Sequence, residues 1–442
     1  MSIPLTLLAR TVDAIAFIGL LAAAVYAPLA YGSLTLESEL GLMFAVGGLI
    51  CLVGLRLLLP GDNLRLPKPL KILAIIATGY LALVFLSALN APNPTPAFRA
   101  AFRISVHVAG FFLAAALLRN AARRNAFVIV LLLTALVAGA IGFAEFTGHR
   151  LFPGAGQRIS STYYNPIHYS GFLDLVAPIA LAAALLAPRI WQRILAGVIA
   201  LVAFANALLT FSYASWGALA LVTLAILIIY AVRPRFSARR LAVSASVLLI
   251  AAALGVTALA ISPRLSGSLQ DRVATVLQIF AVDEATPSSP GPLGSLGARM
   301  QIWEPTVTMT LERPLLGAGP GNFIYEITRF RPETAEESRL MHRFVNYAHH
   351  DYLQVASEIG LPALVLFVAF WLLALTLRPE APRPRWFTVG ASMGIIALLI
   401  HGFMDGNLTV NHSVAFLAFT LVGASFAASP TPTAAAAPPP TE

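Results

Sequence analysis

A long polar stretch between residues 261 and 361 interrupts an otherwise apolar chain and holds the residues best suited to chemistry. Near its end, His349 and His350 stand directly before Asp351 and Tyr352. Histidine changes its charge near neutral pH, so this cluster can supply a general base, a proton relay or a metal ligand. Metal ligands must converge on one point, whereas neighbouring residues on a helix point apart, so the spacing disfavours a metal site.

Arg299 and Trp303 lie earlier in the same stretch, in a run from Ala298 to Leu311 whose apolar residues have helical spacing. Arg299 either binds an anionic substrate or pairs with a carboxylate in a helix that packs flat on other helices. Trp303 and Tyr347 are suited to stacking on sugar rings. The turn Pro314–Asn322 is rich in glycine, so its amides can approach an anion, although turn geometry alone also explains the composition. It lacks the Gly-Lys-Ser or Gly-Lys-Thr of a nucleotide-binding loop, which excludes that function.

The elements that must position these residues are membrane helices. Hydrophobic residues make up 58% of the chain and charged residues only 11%, far below the roughly 25% charged content of a soluble domain. A span needs about 20 mostly apolar residues, and twelve candidates are present: Ala14–Tyr31, Leu40–Leu59, Leu70–Leu89, Phe98–Leu118, Ala126–Phe146, Tyr169–Ala187, Ile190–Thr210, Ser212–Val232, Leu241–Ile261, Leu361–Leu377, Phe387–Phe403 and Asn411–Ala427. The sequence therefore predicts an all-α polytopic membrane protein.

The orientation of the spans follows from their flanking charges, because short loops rich in Lys and Arg stay in the cytoplasm. Alternate connections carry such residues, whereas the short loops Gly32–Glu39 and Asp405–Val410 have none. Both termini are therefore predicted to be cytoplasmic and residues 262–360 to lie outside. That stretch has eight Arg against eleven Asp and Glu, so the net charge of +9 comes from the inner face. The excess of basic over acidic residues therefore reflects the orientation of the protein in the membrane and not nucleic-acid binding.

The predicted organisation has four parts: nine spans in residues 1–261, one large outer loop in 262–360, three spans in 361–427, and a disordered cytoplasmic tail in 428–442. The tail is Pro, Ala and Thr without apolar periodicity, and such a segment cannot bury enough surface to order itself. The chain has one cysteine, Cys51, which excludes a disulfide framework or a thiolate metal site.

A shorter outer loop, Gly148–His168, contains further hydrogen-bonding groups, including Arg158 and Asn165. Arg158 either snorkels to lipid headgroups or binds substrate, and its place on the outer side, where arginine is rare, favours a functional role. Tyr213 lies in the tight junction Thr210–Trp216. It is either a substrate contact or a member of the ordinary aromatic belt at a membrane interface.

Several of these motifs occur in an order that resembles the O-antigen ligase superfamily. The resemblance covers most of the chain from about residue 150 onward, and its most specific part is the segment from Ala348 to Gly360. Its elements are Arg158 with Asn165-Pro166, Thr210-Phe211-Ser212, Arg299 with Trp303, Arg313-Pro314-Leu315-Leu316-Gly317-Ala318-Gly319, Ala348-His349-His350-Asp351-Tyr352-Leu353-Gln354 with Glu358 and Gly360, and His401 with Asp405.

The resemblance implies a class C glycosyltransferase-like fold of about twelve transmembrane helices with one large periplasmic loop. It also implies an enzyme of the bacterial inner membrane that transfers a glycan from undecaprenyl diphosphate to lipid A core, to protein or to another glycan. No metal or other cofactor is expected, because the family is metal-independent and no Asp-x-Asp motif occurs in an outer loop. Direct displacement would invert the anomeric configuration.

The chemistry of such a transfer assigns roles to the candidate residues. A departing diphosphate needs cations, and an acceptor hydroxyl needs a base or a positioning group. His349 and Arg299 are therefore the predicted catalytic residues, and the predicted substrate-binding residues are Arg158, Asn165, Trp303, Tyr213, His350 and Tyr352. Two positions depart from the family pattern, because the family usually has Arg where this chain has Tyr213 and Asn where it has His350. Either Arg158 and Arg299 carry the charge that the missing Arg supplies elsewhere, or this chain uses a different arrangement of the donor.

The predicted function is glycan ligation to lipid A core on the periplasmic side of the membrane. Polysaccharide polymerisation and protein O-glycosylation are alternatives, because the motifs do not specify the acceptor. A transporter is a third alternative, from a different class, since transporters place ionisable residues within their spans. Asp174 and His107 are the main candidates of that kind.

Overall fold

The computed structural model describes residues 4–60, 66–153, 158–232, 292–330, 345–380 and 383–428, together with residues 242 and 246. These residues form helices, turns and loops, and no strand occurs among them. In chain order the helices are α1 (Leu5–Leu29), α2 (Leu36–Leu58), α3 (Lys68–Leu89), α4 (Pro94–Leu117), α5 (Ala121–Phe146), α6 (Pro166–Leu186), α7 (Ile190–Leu209), α8 (Tyr213–Ala231), α9 (Pro292–Glu312), α10 (Phe323–Glu326), α11 (Asp351–Glu358), α12 (Leu361–Thr376), α13 (Arg385–His401) and α14 (His412–Phe426).

The predicted spans agree closely with these helices. Helices α1 to α8 are long and apolar enough to cross a membrane, and α12, α13 and α14 are shorter apolar helices. Together they coincide with eleven of the twelve predicted spans. The prediction Leu241–Ile261 lies outside the described residues except at positions 242 and 246. The tail 429–442 and the loop segments 262–291 and 331–344 also lie outside them. A multi-span, all-α membrane protein is confirmed, whereas the count of twelve stays a prediction.

Local sequence signals explain where the helices begin. Thr35 and Ser38 form a reciprocal capping box at the start of α2, with side-chain to backbone distances of 3.2 and 3.3 Å. Asn165 caps α6, because its Oδ1 accepts a hydrogen bond from Ile167 N at 2.9 Å. Proline within the first two positions of α3, α4, α6 and α12 fits a helix start, where an amide donor is not needed.

Helix α6 occupies the centre of the bundle. Its residues are mostly apolar and nearly all buried, with Asp174 and His168 among the few polar ones, and it packs against α7, α8 and α13. The contact with α13 is a close backbone approach: a Cβ atom at Gly394 would lie 2.5 Å from Leu175 O, and one at Gly390 would lie 2.7 Å from Ile179 Cα. Small residues permit such approaches between membrane helices. In the first turn of α6, the His168 ring lies near that of Tyr347, with the two centroids 6.2 Å apart.

The glycine-rich turn after α9 packs against the junction of α11 and α12. The amides of Ala318 and Gly319 donate to the carbonyls of Ser357 and Glu358 at 2.9 and 2.8 Å. These two amides are therefore engaged by protein, and turn geometry, not anion binding, accounts for this part of the sequence. Gly317 has a φ of +63°, and a Cβ atom there would lie 2.4 Å from the Glu358 carbonyl carbon.

Substitution of Gly360 tests this packing. Its φ is +103°, and a Cβ atom would lie 2.3 Å from Leu315 O. Gly360→Ala should therefore lower the free energy of unfolding by about 1–3 kcal/mol, because it combines backbone strain with a clash. Gly217→Ala is the matched control, since nothing lies within 4 Å of a Cβ at that helical position. Thermal unfolding in detergent should show a large decrease for the first variant only, and equal midpoints would contradict the packing described here.

The predicted orientation can be tested with reporter fusions. A fusion after Gly319 should report an external location, and one after Arg240 a cytoplasmic location. The reason is that every second connection between spans is rich in Lys and Arg, and such connections stay in the cytoplasm. A cytoplasmic signal at Gly319 would overturn the assignment of both termini and of the large loop.

Candidate active site

Helix α9 brings Arg299 and Trp303 next to the His349 segment. The two residues are one helical turn apart, so their side chains lie on the same face of α9. Trp303 Nε1 donates a hydrogen bond to Ala348 O at 3.1 Å. The neighbouring amide, Ala348 N, donates to Gln354 Oε1 at 2.6 Å. The segment that precedes α11 is therefore held from both sides.

Asp405 joins the two predicted catalytic residues, although they are 50 positions apart in sequence. Its Oδ2 lies 3.4 Å from His349 Nδ1 and 3.8 Å from Arg299 Nη2. The Asp405 side chain is fully buried, whereas those of His349 and Arg299 are 27% and 20% exposed. An aspartate against Nδ1 fixes the ring and favours the tautomer with a proton on Nδ1, which leaves Nε2 as the basic nitrogen.

The charge of Asp405 is set by these neighbours. Burial by itself raises the pKa of a carboxyl group, but the hydrogen bond and charge of His349, followed by the charges of His168 and His401, outweigh it and lower the pKa of Asp405 below its usual value. Asp405 therefore remains ionised at neutral pH. An ionised carboxylate beside His349 stabilises the imidazolium that forms when His349 takes up a proton.

Asp351 holds the loop that carries Asp405. Its carboxylate accepts hydrogen bonds from Leu408 N at 3.0 Å, Thr409 N at 2.9 Å and Thr409 Oγ1 at 2.7 Å, while its own amide donates to Gly402 O at 2.8 Å. Burial raises the pKa of Asp351 to about 7, against the lowering effect of these hydrogen bonds. Asp351 therefore joins the start of α11 to the loop after α13.

His350 and Tyr352 have mainly structural surroundings. His350 caps α11, since its Nδ1 accepts from Leu353 N at 3.3 Å, and its ring makes edge contacts with Trp303 and Phe403. Burial lowers the pKa of His350 to about 4, so it is neutral at pH 7. The hydroxyl of Tyr352 donates to Leu399 O at 2.9 Å. Both side chains therefore help to hold the segment next to His349 in place.

Tyr347 lies between His349 and the start of α6. Its ring centroid is 4.0 Å from that of His349 and 6.2 Å from that of His168. Burial raises the pKa of the Tyr347 hydroxyl well above its usual value, and the Asp405 charge adds to the effect. Tyr347 therefore remains neutral and helps to fix the His349 ring by packing.

The remaining predicted substrate-binding residues occupy two other places. Arg158 Nε donates to Thr210 O at 2.6 Å, which places this side chain at the turn between α7 and α8. Tyr213 is the first residue of α8 at the same turn and makes an edge contact with Trp216. Asn165 caps α6, so its side chain has a structural task. Arg299 and His349 thus meet at Asp405, while Arg158 and Tyr213 form a second cluster at the turn between α7 and α8.

Sequence reasoning missed the role of Asp405 and did not single out Arg99 or Arg103. Both arginines lie at the predicted outer end of α4 and pair with Glu39, Arg103 at 3.7 Å. Asp405 could have been identified as an acidic residue directly after a span, in a loop without Lys or Arg. Arg99 and Arg103 could have been identified as arginines on the predicted side of the membrane where arginine is rare. In the part of the chain that the structure describes, no group of three or more His, Cys, Asp or Glu side chains is arranged to hold a metal ion.

Residues 198–368 match the O-antigen ligase family. The matched segment is less than half of the chain and includes Arg299, Trp303 and His349, whereas Arg158 and Asp405 lie outside it. A search of curated proteins finds no match to the chain. The family match confirms the resemblance to the O-antigen ligase superfamily that the sequence motifs indicated.

Proposed function

We propose that the protein transfers a glycan from undecaprenyl diphosphate to lipid A core at the periplasmic face of the bacterial inner membrane, because residues 198–368 match the O-antigen ligase family. The family supports the broader activity, that of a membrane glycosyltransferase of the O-antigen ligase or polymerase type. The observation that carries the proposal is the convergence of His349 and Arg299 on Asp405. It places a base beside a cation, as a transfer from a diphosphate requires.

The proposed reaction is a direct displacement. The acceptor hydroxyl loses its proton to His349 Nε2 as its oxygen attacks the anomeric carbon of the donor glycan. The bond from that carbon to the diphosphate oxygen breaks, and undecaprenyl diphosphate leaves with the electron pair. Inversion at the anomeric carbon follows from attack opposite the leaving group.

The side chains of this site divide the work of that step. Asp405 stabilises the imidazolium of His349, and Arg299 provides positive charge for the departing diphosphate. Trp303 contributes by holding Ala348 through its indole nitrogen, which fixes the His349 segment. Arg158 and Tyr213 form a second outer surface, suited to a distal phosphate or sugar of the donor.

Deletion of the gene tests the proposal, because each candidate activity loses a different product. Loss of glycan from lipopolysaccharide, with accumulation of lipid-linked glycan, would support ligation to lipid A core. The same accumulation with loss of exopolysaccharide or of glycoprotein would identify a polymerase or a protein glycan transferase. Unchanged glycan pools with altered uptake would refute all transferase versions and favour a transporter, for which the buried pair of Asp174 and His401 is the supporting observation.

Glycan transfer by the purified protein should not depend on a divalent cation. In the proposed reaction Arg299 stabilises the charge of the departing diphosphate, and Asp405 stabilises the imidazolium of His349. Activity should be the same after extensive dialysis against EDTA as before it. Loss of activity that one specific metal restores would contradict this prediction.

A further inference from the structure

A buried polar chain links three helices within the bundle. Ser215 Oγ on α8 donates to Asp174 Oδ1 on α6 at 2.5 Å, and Asp174 Oδ2 accepts from His401 Nδ1 on α13 at 2.5 Å. All three side chains are fully buried. Ionisable groups inside a membrane protein are costly and are commonly retained for function. The mechanism described above does not use any of these three residues.

The hydrogen bonds among Ser215, Asp174 and His401 are connected, through the end of α13, to the loop that carries Asp405. The carbonyl of His401 accepts from Asp405 N at 3.1 Å, and the carbonyl of Gly402 accepts from Asp351 N at 2.8 Å. A shift of His401 would therefore move both Asp405 and the start of α11. Asp405 in turn is the partner of His349.

Packing alone does not account for the buried pair of Asp174 and His401. A buried ion pair contributes little net stability compared with apolar residues of the same size. His401 Nε2 is also buried and has no hydrogen-bond partner among the described residues, which is uncommon for a polar atom inside a protein. A structural role would be served equally well without this polar atom.

We propose that Asp174 and His401 are positioning residues for the transfer reaction: their hydrogen bond fixes the end of α13 and thereby the orientation of Asp405 and of the His349 ring. The role in transfer rests on the proposed function, whereas the effect on the His349 ring does not depend on it. The charged or titratable groups around His349 and His401 are Asp174, His168, Arg299, Tyr347, Asp351 and Asp405.

The test compares Asp174→Asn and Ser215→Ala with a control that loses a buried hydrogen bond elsewhere. Tyr163→Phe is this control, because it removes the 2.7 Å contact with Ser413 and leaves the end of α13 intact. Two properties are measured on folded protein in detergent: the steady-state constants for transfer, and the rate of His349 acylation by diethyl pyrocarbonate, followed by mass spectrometry. The second measurement does not require any transfer activity.

Asp174→Asn should lower kcat by about 10- to 100-fold with little change in KM, the effect expected of a displaced catalytic group. It should also change the rate of His349 acylation, because a displaced end of α13 loosens the contact between Asp405 and the His349 ring. Ser215→Ala should change both properties in the same direction but less, and Tyr163→Phe should change neither.

The outcomes separate this inference from the proposed function. If the parent protein transfers glycan and both Asp174→Asn and Ser215→Ala match it in kcat and in the acylation rate, the pair is structural only and the inference is wrong. If the parent transfers no glycan but Asp174→Asn still changes the rate of His349 acylation, the positioning role stands and the proposed function falls. Equal losses in Tyr163→Phe would also overturn the inference, since they would trace the effect to general loosening of the bundle.

Discussion

His349→Ala is expected to lower the turnover number for glycan transfer by about 10²- to 10⁴-fold, the range usual for loss of a general base. Donor binding should be largely retained, because Arg299 and the second cluster at Arg158 remain in place. The physical reason is that His349 is the partly exposed base beside the buried carboxylate of Asp405. The measurement is steady-state transfer by purified, folded protein, with donor binding measured separately.

His349 has a φ of +50°, so a second variant is needed to separate chemistry from backbone strain. Asparagine tolerates this conformation better than alanine, and His349→Asn should lose as much turnover with a smaller loss of stability. His350→Asn is the matched control, because asparagine is a good helix cap and His350 acts as the cap of α11. A parent rate in His349→Ala, or a greater sensitivity of His350, would show that His349 is not the acceptor-site base.

Arg299→Ala should weaken the interaction with the diphosphate donor by about 1.5–3 kcal/mol, the usual contribution of a hydrogen bond to a charged group. This corresponds to roughly 10- to 150-fold in binding or in kcat/KM. Arg299→Lys should recover only part of the loss, because lysine lacks the planar fork that binds two oxygens at once. Binding of the lipid-linked donor and kcat/KM are the quantities to measure.

Arg329→Ala is the control for Arg299, since Arg329 belongs to the same long stretch but is half exposed and pairs with Glu326 and Glu312. Exposed ion pairs contribute little, so donor affinity should not change in this variant. Equal effects at the two positions would assign the role of Arg299 to the overall charge of the loop. An Arg299→Ala protein with parental donor affinity would remove Arg299 from the proposed diphosphate site.

The spans could be predicted because each depends on a local property. Helices α1 to α8 are apolar over the length that a bilayer requires, and a backbone in that environment must satisfy its hydrogen bonds within the helix. The C-terminal ends were predicted to within about two residues, whereas α1 begins at Leu5, well before the predicted Ala14. The starts of α2, α5 and α6 were predicted a few residues late, because the capping residues before them were not used. The central position of α6 was not predicted, because a mostly apolar helix can face either lipid or protein.

The candidate site was only partly predictable. The types of its residues, such as the histidine pair before Asp351 and the arginine at 299, were informative because few polar side chains occur in so apolar a chain. Their roles were not all evident. His350 and Asn165 were expected to bind substrate, and the structure gives both a capping task, since a cap depends on the backbone geometry at a helix end and the motif alone did not specify it.

What the sequence by itself determined is a multi-span helical protein with its reactive side chains concentrated between residues 261 and 361 and a resemblance to one glycosyltransferase family. Only the tertiary structure decided that Arg299 and His349 meet at Asp405, and that Asp174 pairs with His401 at the end of α13. The physical reason is that apolar patterning acts over one or two helical turns, whereas these contacts join residues that are 56 to 227 positions apart in sequence and depend on how the whole bundle packs.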